Sequence, residues 1–222
     1  MSKRRWEQIA AAGGIIFVLL AFGGQGFIQV GGSEPDFNAP AAEILSFFET
    51  RDQLLFNIGG YLVSLSYIAL IWFLAAVWAR LQRYEESPKW MSLTAASSAL
   101  VGIAVSSATT GWPMAVFRIE EGLDPGLARY LFDDGNFGFA ILWVYLAGFL
   151  LAAGIIALRD GALPRWLGWF ALITSLTLLI GRAVWDSPTG LIFVPYTLAA
   201  LWIFITSIFL IRAVGKEELA SE

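Results

Sequence analysis

Residues 137–158 read FGFAILWVYLAGFLLAAGIIAL, twenty-two positions without a single charged side chain. A helix needs about 20 mostly apolar residues to cross a hydrocarbon layer roughly 30 Å thick, so this stretch is long enough to span one. A surface helix of a soluble domain would carry a polar face opposite its apolar stripe. Here the apolar residues run all the way round.

Working outward from it, five more such stretches appear, approximately Ile9–Val30, Leu54–Ala79, Met91–Gly111, Leu167–Val184 and Leu191–Ile211. None alternates with the period of a strand, which argues against a transmembrane barrel. The expected fold is all-α, a polytopic bundle of six transmembrane helices forming one domain over residues 1–222. Lys3-Arg4-Arg5 before an apolar run imitates a signal peptide. That run is as long as a spanning helix and lacks a small-x-small cleavage site, so a retained first helix is expected.

The composition agrees. The chain is 58% hydrophobic and 14% charged, with a mean hydropathy of +0.69, whereas soluble domains are about 45–50% apolar and about 25% charged. A water-soluble globule and a disordered chain are both excluded. There is no His and no Cys, which removes His- or Cys-ligated zinc, haem on His or Cys, the Ser-His-Asp triad and disulfides. No cofactor and no metal are expected.

Lys and Arg set the direction. The N-terminus, the second and fourth loops and the C-terminus hold ten of them: Lys3, Arg4, Arg5, Arg80, Arg83, Lys89, Arg159, Arg165, Arg212 and Lys216. The other side holds only Arg51, Arg118, Arg129 and Arg182. By the positive-inside rule both termini are expected in the cytoplasm. The net charge of −4 then divides into about +3 inside and −7 outside, and a nucleic-acid partner has no basic patch to use. Trp78, Trp90, Trp166 and Trp169 at inner ends, with Trp112 and Trp185 at outer ends, read as interfacial belts.

The two inner loops share a pattern. Arg80 closes one inbound helix and Pro88-Lys89-Trp90 opens the next; Arg159 and Pro164-Arg165-Trp166 repeat the arrangement. Two readings stay open, a parallel repeat of hairpins 51–111 and 134–184 or interface chemistry written twice. The long outer loops, 31–53 and 112–136, each carry an apolar helical pattern. Ile44, Leu45, Phe47 and Phe48 follow Asn38 and Pro40, with Asn38 as the expected cap, and Leu127, Tyr130, Leu131 and Phe132 follow Asp124-Pro125-Gly126. Two short amphipathic helices are expected there, lying at the outer interface or over the bundle mouth.

Inside the bundle, Ser98, Gly102, Ser106 and Thr110 recur every fourth residue of the third span. Small stripes let helix backbones approach, which places this span at the centre. Gly13-Gly14, Gly23-Gly24, Gly26 and Gly59-Gly60 make similar notches, and Pro195 is expected to kink the sixth span.

No Asp, Glu or Lys lies deep in a span, so the buried ionisable groups of proton-coupled carriers and pumps are missing. Polar groups gather instead at the outer mouth: Arg51, Asp52, Asn57, Arg118, Asp134, Asn136, Arg182 and Asp186, the last one turn beyond Arg182. They form either the rim of a small-molecule pocket or a solvated rim tying loops to helix ends. Glu120-Glu121 invites comparison with intramembrane prenyl-protein endopeptidases, but Pro125 stands where their Arg belongs and the His motifs have no counterpart.

The segment Arg159…Leu163-Pro164-Arg165-Trp166-Leu167-Gly168-Trp169, with Ala128-Arg129-Tyr130-Leu131-Phe132-Asp133 and Asn136, resembles a group of bacterial multi-pass membrane proteins classed only as a domain of unknown function. The resemblance spans about residues 40–185. It implies a bacterial cytoplasmic-membrane protein of about six helices and carries over no site residue. The expected role is non-catalytic, an accessory or scaffold subunit packing against other membrane helices. The alternative is a binder or carrier of a lipid or other anionic amphipathic molecule at the outer mouth, met by Arg51, Arg118 and Arg182. An enzyme using Asp134 or Asp186 ranks last. The expected partners are the bilayer, other membrane subunits or a bound lipid.

Overall fold

The computed structural model describes residues 3–185 and 193–219, and within them every regular element is helical. The order is α1 (Lys3–Ile28), α2 (Ala41–Glu49), α3 (Gln53–Tyr84), α4 (Trp90–Ala108), α5 (Gly111–Arg118), a 3-10 turn (Ile119–Glu121), α6 (Pro125–Asp160), α7 (Arg165–Ala183) and α8 (Val194–Leu219). Six segments are long and apolar enough to cross a membrane: α1, α3, α4 continued by α5, α6, α7 and α8.

These six close into a ring. Its neighbours, in order, are α8, α1, α3, α4, α6 and α7, with α7 meeting α8 again. Each helix runs antiparallel to the next, so the start of α1 and the end of α8 lie at one end of the bundle. The α1–α3, α4–α6 and α6–α7 interfaces are broad, whereas α3–α4 and α7–α8 are thin although each pair is consecutive in the chain.

Glycines explain the closest of these contacts. A Cβ on Gly24 would stand 2.7 Å from the Gly59 carbonyl oxygen, and one on Gly59 would stand 2.5 Å from that of Gly24. Backbone therefore meets backbone, the geometry that small residues permit and that lipid, as apolar as leucine, cannot drive hydrophobically. Hydroxyls add ties to neighbouring carbonyls. Ser98 donates to Tyr145 O at 3.0 Å, Ser175 to Ala147 O at 2.8 Å, and Ser207 to Ala11 O. In the main core, Phe73 and Phe149 meet the fully buried Trp202 edge-on, and its indole N–H donates to Leu167 O at 3.0 Å.

Several expectations are corrected. The third span is not the central one: α6 is the most enclosed, while α4 is no more buried than α1, α7 or α8. Of the small stripe, Gly102 and Ser106 are buried and Ser98 half-buried against α6, but Thr110 is exposed beyond the end of α4. Residues 127–132 are no separate loop helix. They are the first turns of α6, because Asp124 accepts from the Gly126 and Leu127 amides and Pro125 fits the first turn, so the helix starts a dozen residues early. Pro195 does not kink α8; it lies in the first turn, where no intrahelical N–H is needed. Pro40, not Asn38, occupies the cap position of α2.

The Trp belts divide as well. Trp90, Trp166 and Trp169 are more than half exposed. Trp185, by contrast, is buried edge-on against Trp143, with ring centroids 5.0 Å apart, and Trp112 packs inside a group of phenylalanines. The two similar loops are built differently. Lys89 precedes α4 in a left-handed conformation (φ +57°), while Pro164 precedes α7 in extended geometry.

Candidate functional site

The 36 residues of α6 extend about 54 Å at 1.5 Å per residue, well beyond a hydrocarbon layer of about 30 Å. With the charge-free residues 137–158 filling such a layer, the first twelve residues of α6, 125–136, project past it, about 18 Å of helix. Around them, at the end away from the chain termini, a second apolar core forms. Ile44, Phe47 and Phe48 from α2 meet Ala115 and Val116 from α5 and Ala128 and Phe132 from α6. Trp112 stacks on Phe132 with centroids 5.7 Å apart, and Phe47 and Phe48 pack edge-on against both rings. This cap has its own core and is the part of the chain that carries the candidate site.

The helix break at Thr109-Thr110 allows α5 to fold onto α6. The Asp134 carboxylate accepts from the Gly111 amide at 3.0 Å, so an acid on α6 caps α5. A Cβ on Gly111 would lie within 3 Å of the Leu131 carbonyl carbon, and one on Gly135 would overlap the Trp112 ring. Two glycines 24 positions apart thus permit one contact.

The eight residues expected at the mouth divide by role. Arg51 is buried and serves its own surroundings: Nε donates to Phe47 O at 3.0 Å, and Nη1 to Gly32 O at 2.8 Å and Val30 O at 3.2 Å. Its guanidinium also lies 4.0 Å from the Phe47 ring centre. Asp52 caps α3 through the Leu55 amide at 2.9 Å. Asn136 is buried on α6 and donates to Phe132 O at 3.1 Å. Arg118 pairs with Glu121 on the exposed surface. Asn57 is exposed on α3, and Arg182 lies 5.9 Å from the Phe137 ring centre. Asp186 falls outside the described residues. Arg51 and Asn136 come together; Arg118, Asn57 and Arg182 do not join them.

What unites Arg51 and Asn136 is Glu34, which sequence reasoning passed over. Its carboxylate hydrogen-bonds the Asn136 side chain and faces the Arg51 charge. Burial nevertheless dominates, pushing the carboxyl from 4.5 up to about 7 against both of those pulls. Desolvation likewise lowers Arg51 from its ordinary value, opposed by Glu34. Within Gly31-Gly32-Ser33-Glu34-Pro35-Asp36, this glutamate reads as part of a solvated turn, and a helix about 100 positions away takes it partly out of water. Beside it an open cleft of about 500 Å³ runs between residues 31–36 and the α2 side chains Glu43, Ser46 and Phe47. Among the described residues, no three His, Cys, Asp or Glu side chains gather as a metal site.

Comparison with known protein families, with curated proteins and with solved structures finds no match for this chain.

Proposed function

We propose that this is a non-catalytic multi-pass membrane protein, an accessory or scaffold subunit that presents its helix faces and its cap to other membrane subunits. The observation that carries the reading is that the strongest polar groups of the mouth already have partners within the fold. Arg51, Asp52, Arg118, Asp134 and Asn136 each close a turn, cap a helix or pair locally. Groups held this way tie loops to helix ends and are not aimed at a substrate.

The cap surface adds support. Phe117 and Tyr130 are 63% and 66% exposed, and Tyr130 lies about 10 Å beyond the hydrocarbon layer by helix rise. Large exposed apolar groups outside the lipid are typical of protein contact surfaces. The ten-to-four division of Lys and Arg supports cytoplasmic termini. The same division supports residence in a cytoplasmic membrane, proposed here as a bacterial one.

The test is the mass of the particle released from native membranes by a mild detergent, measured by light scattering with detergent subtracted. The reading expects a defined assembly larger than the 24.3 kDa chain; recovery of the chain alone refutes it. The alternative, an anionic amphipathic ligand at the mouth, draws on Arg51 as part of the cleft wall. It expects bound phospholipid to be lost when Arg51, Arg118 and Arg182 are neutralised together with the fold intact.

A further inference from the structure

The segment between α1 and α2 crosses the shoulder of α6 and is fastened there at successive points. Glu34 holds Asn136, Phe37 meets Phe137 edge-on with centroids 5.5 Å apart, and the Ala39 carbonyl accepts from Arg129 Nη1 at 3.0 Å. At its start, Gly31 and Gly32 have φ of +102° and +144°, backbone that other residues rarely adopt. Arg51 grips the carbonyls on either side of Gly31. A glycine pair at one end and a half-buried acid in the middle make a hinge and a catch.

We propose that residues 31–40 are a proton-operated strap: closed on α6 while Glu34 is neutral, and swinging out from Gly31-Gly32 when Glu34 is ionised, which widens the cleft against α2. The other charges around Glu34 are few. Asp36 belongs to the strap itself and Glu43 faces the same cleft from α2. Arg51 stands at the α2–α3 junction, and Asp52 beyond it caps α3. On α6, Asp133 is paired with Arg129 at 2.9 Å and Asp134 is held by the Gly111 amide. Of these, Arg51 favours the ionisation of Glu34.

The sign follows from linkage. A carboxyl that titrates at about 7 when the strap is closed, and near its ordinary 4.5 when open, holds its proton more tightly in the closed form. Closure is therefore fully favoured below 4.5 and is lost as pH rises through 7. The open-to-closed ratio changes by about 300-fold across that window, and by about 70-fold between pH 5 and pH 8. The inference concerns motion of the cap and stands whether or not the scaffold reading holds.

The chain contains no cysteine, so Ser33→Cys in the full protein, reconstituted in nanodiscs, takes one spin label on the strap. Its spectrum is expected to gain a mobile component with a midpoint between about pH 4.5 and 7. Glu34→Gln, a stand-in for the neutral acid, removes the transition and stays immobile at every pH, while Asp36→Asn keeps it. A second measurement needs no substitution. Hydrogen exchange of amides 31–40, divided by the rate of an unstructured peptide at the same pH, should lose protection through the same midpoint while residues 44–48 of α2 keep theirs. A label that is equally mobile from pH 5 to 9, flat protection in the unaltered chain, or a transition that survives Glu34→Gln overturns the proposal.

Discussion

Replacing Gly24 or Gly59 by alanine adds one methyl group where α1 and α3 touch backbone to backbone. The new Cβ at position 24 would stand 2.7 Å from Gly59 O, 2.9 Å from a Val63 methyl and 3.0 Å from Val63 N; at position 59 it would stand 2.5 Å from Gly24 O and 3.0 Å from Ile28 N. A carbon and an oxygen settle at roughly 3.3 Å or more, near the distances of weak C–H···O contacts. The helices must therefore part by about 0.6–0.8 Å, and neither backbone atom can turn aside. Overpacking of this kind costs about 1–3 kcal/mol. Alanine's better helix propensity returns at most about 1 kcal/mol, so each variant should be destabilised by a net ~0–2 kcal/mol and stand about 1–3 kcal/mol below an alanine placed in open space. The double variant should cost less than the sum, since the first separation makes room for the second methyl. The protein supplies its own controls: Gly23, Gly26 and Gly60 have nothing within 4 Å of a built Cβ, so alanine there should be neutral or slightly stabilising. The assay is reversible unfolding in mixed micelles with increasing SDS, followed by far-UV circular dichroism. If Gly24→Ala and Gly59→Ala behave like Gly23→Ala and Gly60→Ala, the close α1–α3 approach is refuted.

Other outcomes follow from single contacts. The buried Glu85 carboxylate accepts from the Met91 and Ser92 amides at 2.9 and 2.8 Å. Glu85→Ala leaves both without a partner and should cost about 1–3 kcal/mol in the same SDS titration. Tyr67 and Ser106 join α3 to α4 by a 2.8 Å hydrogen bond across a thin interface; a Tyr67→Phe/Ser106→Ala double-mutant cycle should return a coupling of about 0.6 kcal/mol, as buried membrane hydrogen bonds do. Arg51→Lys keeps the charge but not the fork that reaches three carbonyls. Amides 29–36 should then exchange at least tenfold faster, with the spanning helices unaffected. Trp112→Ala empties the aromatic group of the cap and should cost about 3–5 kcal/mol of local stability, read as lost protection in α2 and α5 but not in α7.

The cap shows where sequence reading stops. The pattern of Ile44, Phe47 and Phe48 reveals an amphipathic helix, and α2 forms there. What those rings cover is not local information: their partners Trp112 and Phe132 come from other parts of the chain. Residues 127–132 show the opposite difficulty. They read as a short helix in the outer loop, separate from the span that follows, yet the glycines at 135 and 138 are where Trp112 and Thr109 press against α6, so one helix runs through. Arg51 and Asn136 were marked by polarity alone, whereas Glu34, which joins them, lies in a turn-forming run that gave no sign of burial.

By itself the sequence determined that the described chain is helical, that six segments are long and apolar enough to span, and that charge is confined to their ends. These depend on local composition, because a bilayer forces each spanning segment to satisfy its own backbone. Only the tertiary structure decided which helices neighbour one another in the ring, that α6 rather than α4 is the enclosed one, and that Glu34 lies beside Arg51 and Asn136. Those depend on which surfaces meet. Between helices in lipid that choice rests on close fit and a few hydrogen bonds, such as Gly24 against Gly59 or Ser98 on Tyr145, and no single segment contains both sides of the contact.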